Sequence, residues 1–155
     1  MSTKTLLQGD LRGNLETTEL AADTNVSAAV YRDGSDEFAA IASDDSDHRL
    51  LLLTSEGHFD KNANDTYGDA DGKIDSGDSA QAVRPRKGDK VSVWLDNSNV
   101  SGNNVSKGDA LYYYGSSGTA GTFSGAGSNN PILEAAEAID NNDGDAVTRI
   151  EAYVL

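Results

Sequence analysis

Residues 87–95 read Lys-Gly-Asp-Lys-Val-Ser-Val-Trp-Leu, and residues 107–115 read Lys-Gly-Asp-Ala-Leu-Tyr-Tyr-Tyr-Gly. The Lys-Gly-Asp opening recurs after twenty residues, each time ahead of a short apolar and aromatic run. Gly gives the backbone freedom that a tight turn needs, and Asp caps it. Val, Trp, Leu and Tyr favour the pleated, half-buried surface of a sheet. Each Gly-Asp turn is therefore expected to open a strand, at 91–95 and at 110–114, which makes the fold mainly β. Lys-Gly-Asp also looks like an adhesion tripeptide, but turn chemistry accounts for both copies.

Downstream, Ala146, Thr148, Ile150, Ala152 and Val154 alternate with Val147, Arg149, Glu151 and Tyr153, the period of a strand. Ahead of it, 132–139 has local helix propensity, with Asn130 as cap and Pro131 in the first turn. The Asn-Asn-Asp-Gly-Asp cluster at 141–145, set between two apolar stretches, asks for a hairpin instead, and the hairpin is preferred. Upstream, Asp33-Gly34 predicts a tight turn between strands near 26–31 and 37–42. His48–Ser55, with four consecutive leucines, predicts a buried strand. Val91, Val93, Leu111, Ile150 and Val154 are the core candidates. Trp94 and Tyr113 are the contact candidates, because aromatics give large contact area and keep a polar handle.

The 155 residues suffice for one domain. Leu, Ile, Val and Phe number only 30, while 26 acids against 12 bases leave a net charge of −14. That balance lies near the border of disorder, so a thin core asks for partner copies or for concentrated salt. Aspartate supplies 19 of the acids, and an Asp-rich surface holds water and cations where salt screens its repulsion. The same charge argues against nucleic acid and against anionic membrane as partners. The chain has no cysteine, and its longest apolar run is Leu50–Leu53, far short of a membrane span. The first residues lack the apolar stretch of a signal peptide, so the chain is expected to stay in, or be packaged from, the compartment where it is made.

Residues 1–24 carry Leu6, Leu7, Leu11, Leu15 and Leu20 at neither helical nor strand spacing. They read as an N-terminal arm ahead of a single β-rich body at 25–155. Within that body 58–81 is nearly free of apolar residues and reads as a long acidic loop. On the calcium-loop pattern Asp69, Asp71, Asp75 and Asp78 take oxygen-ligand positions and Gly72 the bend. Tyr67 stands where the first acid belongs, with Asp65 as a substitute from outside. A Ca2+ or other cation site is one reading, and a solvated acidic loop is the other. His48 and His58 are the only histidines, and neither sits in a metal or catalytic motif, so no enzyme is expected.

From Lys87 to Leu155 the sequence resembles the capsid decoration (cement) proteins of tailed viruses. The residues that carry the likeness are KGDKVSVWL, KGDALYYYG, PILEAAEAI and NDGDAVTRIEAYVL. It covers a little under half of the chain, and the acidic composition points towards a virus of halophilic archaea. The resemblance implies a small β-barrel or sandwich-like body of short antiparallel strands. It implies a homotrimer on the outer surface of an icosahedral HK97-type shell, bound to the major capsid protein and assembled in the host cytoplasm. Leu6, Leu7 and Leu11 of the arm, with Trp94 and Tyr113, would then contact the coat or a neighbouring copy. No catalytic residue is implied. The alternative is a calcium-dependent carbohydrate- or receptor-binding module of a halophilic virus or cell surface.

Overall fold

A computed structural model describes residues 6–8 (backbone only), 15–42, 48–54, 67, 72–96, 104–115, 119–127, 130–140 and 147–155. Its strands, in chain order, are β1 (Leu6–Gln8), β2 (Leu15–Glu19), β3 (Thr24–Asn25), β4 (Val30–Arg32) and β5 (Phe38–Ala40). β6 (Leu52–Leu53), β7 (Lys73–Ile74), β8 (Ser79–Val83), β9 (Lys90–Asp96) and β10 (Asn104–Val105) follow. The last are β11 (Ala110–Tyr114), β12 (Thr122–Ser124), β13 (Leu133–Ala135), β14 (Ile139–Asp140) and β15 (Val147–Val154). No α-helix occurs among the described residues; the 132–139 stretch contributes β13, antiparallel to β15 with Leu133 opposite Val154.

The main sheet runs β1-β9-β12-β11-β13-β15, and β15 also pairs with β9. That last pairing closes β9, β12, β11, β13 and β15 into a five-stranded barrel, which removes the exposed edges an open sheet would leave. The closing ladder is the longest, from Val147 opposite Asp96 to Tyr153 opposite Lys90. Val91, Val93, Leu111, Ile150 and Val154 all fill the barrel interior, with Phe123 and Leu133.

The two Lys-Gly-Asp turns share one hydrogen-bond pattern. The Asp89 N–H donates to the Arg86 carbonyl and the Asp109 N–H to Ser106, while Gly88 and Gly108 take φ of 90° and 94°. This is a type II turn, whose third position needs a left-handed residue. Each Asp carboxylate accepts the N–H three residues back, from Arg86 at 2.9 Å and from Ser106 at 2.8 Å. Each Gly N–H donates to the neighbouring strand, at Val154 and Ala135, and each Asp carbonyl accepts an N–H in return. A third copy stands at Asp75-Ser76-Gly77-Asp78: Gly77 has φ 83°, Asp78 N–H donates to Asp75, and Gly77 and Asp78 exchange bonds with Leu20. It opens β8 as the others open β9 and β11.

The Asp33-Gly34 hairpin forms between β4 and β5, with Val30 opposite Ala40, but its turn differs from expectation. Asp36, not Gly34, takes positive φ, at 61°. The Asp33 carboxylate accepts the N–H groups of Ser35 and Glu37, so an Asx-type loop replaces the two-residue turn.

A second core lies beside the barrel, formed by Leu20, Val26, Val30, Phe38, Leu51, Leu53, Ile74, Ala80 and Ala82. Leu50 and Leu52 belong instead to the barrel core. The four leucines therefore serve two cores on opposite sides of one segment, which explains an unbroken apolar run with only Leu52–Leu53 in a ladder. The first described residues join these sheets. β1 pairs with β9 at 90–91, where β9 has backbone groups that β12, paired at Leu95, does not reach. β2 runs along the whole of β8, from Leu15 opposite Val83 to Glu19 opposite Ser79. At its described positions the stretch read as an arm is thus part of the chain's own sheets. The acidic stretch likewise ends in structure, at β7 and β8.

Candidate functional site

At one end of the barrel β9 begins, β13 begins and β15 ends. The link from β8 to β9 and the residues just before β6 reach the same end, and the four segments wall a cleft of about 490 Å3. Its cations are Arg49, Arg84, Arg86 and Lys87. Its apolar surface comes from Leu50, Pro85, Pro131, Ile132, Val154 and Leu155, with His48 completing the wall. Four of the chain's twelve Lys and Arg residues thus meet in one place, and no Asp or Glu is among the described residues that line it.

The four cations are held differently. Arg84 is fixed by Glu16, with Nε at 3.0 Å and Nη2 at 2.8 Å from one carboxylate oxygen. The other oxygen of Glu16 accepts from Arg32 Nε at 3.0 Å. Burial alone would raise the Glu16 carboxyl, but the hydrogen bonds from Arg84 and Arg32 outweigh it and hold the group below its ordinary value. Arg49, Arg86 and Lys87 are exposed and form no salt bridge with any described residue. His48 is positioned by two tyrosines. Its ring stacks on Tyr31 with centroids 4.3 Å apart, and its carbonyl accepts the Tyr113 hydroxyl at 3.0 Å.

Tyr113 and Trp94, expected as contact residues, are each about 1 % exposed. Their rings lie inside the single chain, so neither offers area to a partner; Tyr113 acts from within, on the cleft wall. Trp94 sits on the outer face of β9 with Ser92 and Asp96, a face met by Val26, Ser27 and Tyr67. Its indole N–H donates to the Val26 carbonyl at 2.8 Å. Arg149, directly opposite on β15, stacks its guanidinium 4.3 Å from the Trp94 ring centre and donates to Ser27 Oγ at 2.8 Å. Tyr67 meets Trp94 in a T-shaped contact, with ring centroids 5.5 Å apart; burial, with the Asp96 charge nearby, raises its hydroxyl above the usual tyrosine value.

Of the remaining expected site residues, Leu6 and Leu7 lie on β1, and Leu11 falls outside the described residues. Asp69 and Asp71 also fall outside them. Asp75 and Asp78 are exposed and belong to the third type II turn. No group of three or more His, Asp or Glu side chains suited to a metal occurs among the described residues. The cleft itself escaped the sequence reading. Its one local signal is Arg84-Pro85-Arg86-Lys87, the densest cationic run in an acidic chain; the remaining walls come from segments far apart in sequence.

Chemically, the cleft combines positive charge with an apolar floor. It can neutralise carboxylates or other anions while burying hydrocarbon beside them. No protein-family model matches the chain, and no curated protein matches it.

Proposed function

We propose that this chain is a structural virion protein that binds the outer surface of an icosahedral capsid as a homotrimer and stabilises the shell. The observation that carries the reading is one of extent. The stretch with the decoration-protein resemblance, 87–155, is the stretch whose strands β9, β11, β12, β13 and β15 close into the barrel. Residues upstream form a second layer on that barrel rather than a separate unit.

The mechanism is thermodynamic. A protein that binds only the assembled shell stabilises that state by mass action. Several linked contacts, one from each copy of a trimer, multiply the effect without new chemistry. Closed cyclic symmetry satisfies every copy equally. The major capsid protein is the partner, and the reading assigns no reaction to the chain.

Mass measurement in molar potassium chloride, followed by co-sedimentation with undecorated capsids of a haloarchaeal tailed virus, tests it. The expected result is a trimer that saturates the shells at a copy number divisible by three and raises their disruption temperature. A chain that stays monomeric and remains in the supernatant with every shell tried overturns the reading.

A further inference from the structure

We infer that the cleft at the barrel end is a docking site for an extended acidic segment of a protein partner, one that carries apolar side chains between its carboxylates. The inference deepens the capsid reading by giving the contact its chemistry, and only the identity of the partner rests on that reading.

Three observations carry it. The first is charge placement. A chain of net charge −14 concentrates Arg49, Arg84, Arg86 and Lys87 around one cleft with no Asp or Glu side chain among its described lining residues. Like charges gathered in this way repel one another, and the local structure leaves Arg49, Arg86 and Lys87 without a salt bridge to any described residue. An acidic ligand supplies the missing counter-charge.

The second is the floor. Leu50, Ile132, Val154 and Leu155 face the same space, so a bare inorganic anion would leave the apolar half of the cleft unused. In molar salt this matters, because the screening length falls to about 3 Å and long-range attraction vanishes. What survives is direct contact: arginine–carboxylate hydrogen bonds and buried hydrocarbon. A peptide with alternating carboxylate and apolar side chains provides both.

The third is rigidity. Arg84 is locked by Glu16, the Arg86 N–H is tied to the Asp89 carboxylate, and Tyr113 and Tyr31 hold His48. The wall is therefore set before any ligand arrives, which lowers the ordering cost of binding.

A matched pair of variants tests the site. Lys87 and Lys107 occupy the same position of the same type II turn and both are exposed, yet only Lys87 lines the cleft. The probe is a synthetic eight-residue peptide of alternating aspartate and leucine, followed by fluorescence anisotropy in molar potassium chloride with the full chain. Its analogue with asparagine for aspartate is the control. K87E, and more so the R49E/R86E double variant, should weaken binding by about tenfold or more, as loss of close charge pairs does. K107E should bind like the wild type, and the asparagine peptide should bind poorly to all. Equal losses in K87E and K107E, or no loss in either, overturn the proposal. So does full displacement of the peptide by equimolar sulfate, which would mark a simple anion site. So does loss of self-association in the charge-reversed variants, which would assign the cleft to a second copy. Wild-type chain that binds the peptide but no shell leaves the cleft standing and removes the capsid reading; shells bound equally well by R49E/R86E remove the cleft and leave the capsid reading.

Discussion

Arg149 is the most demanding residue in the molecule. It is about 7 % exposed, and a buried cation is tolerated only with close partners. The Trp94 face, Ser27 Oγ and the Ser92 backbone carbonyl and hydroxyl provide them on one side. The register fixes this contact, since Arg149 stands directly opposite Trp94 on the closing ladder of the barrel. Ser27 reaches it from the second layer, at a φ of 73°, so the guanidinium ties the layer to the barrel. Arg149→Ala removes the stacked cation and strands the serine hydroxyls, and should lower stability by about 3 kcal/mol. Arg149→Met keeps hydrocarbon over the indole and needs no desolvated charge, so it should cost less, about 1–2 kcal/mol. Denaturant unfolding followed by fluorescence of Trp94, the chain's one tryptophan, measures both. Equal losses in the two variants would show that the cation and its hydrogen bonds, not packing volume, set the cost here.

Among the elements, the turns show how far the sequence could be read. Two of the three Gly-Asp turns were legible because Gly and Asp sit at fixed offsets before an apolar run, and β9, β11 and β15 follow with it. The third, at 75–78, lies in an Asp-rich stretch where calcium-loop spacing competes with turn chemistry, and the turn is what forms there. The Leu50–Leu53 run was legible as a buried strand, and Leu52–Leu53 forms β6, but the core that each leucine serves was not, because periodicity fails when both faces of a segment are buried. The cleft was invisible for another reason: its walls come from four distant segments that only the barrel closure unites. The turns also differ in one respect. The carboxylates of Asp89 and Asp109 each accept a backbone N–H, whereas the exposed Asp78 carboxylate accepts none from the described residues. Asp89→Ala and Asp109→Ala should therefore each cost about 1 kcal/mol, and Asp78→Ala should stay within about 0.5 kcal/mol. Thermal melts of the three single variants decide this. A loss at Asp78 equal to the other two would mean that its carboxylate has a task outside the turn.

At the scale of the whole molecule, charge sets the conditions under which the fold holds. Twenty-six acids stand against twelve bases, and four of those bases are gathered at the cleft, so the rest of the surface is more acidic than the average. Folding brings these carboxylates closer together than they lie in the open chain, and the repulsion grows as salt is lowered and the screening length rises from about 3 Å at 1 M to about 10 Å at 0.1 M. The apolar side has little to set against it. Of the chain's thirty large aliphatic and phenylalanine side chains, the two cores bury twenty among the described residues, thirteen in one and seven in the other, and several strands contribute only two residues to a ladder. The melting temperature should therefore rise steeply between dilute and molar potassium chloride, by about 4 °C for each kcal/mol of repulsion relieved at this chain length. Most of the rise should come below about 1 M, where screening changes fastest. Sucrose at equal osmolality strengthens burial without screening charge, and should reproduce only a small part of the effect. Circular dichroism of the strand signal during heating measures the series. A melting temperature that stays flat from dilute to molar salt, or that sucrose raises as much as the salt does, would mean that burial rather than charge governs the fold.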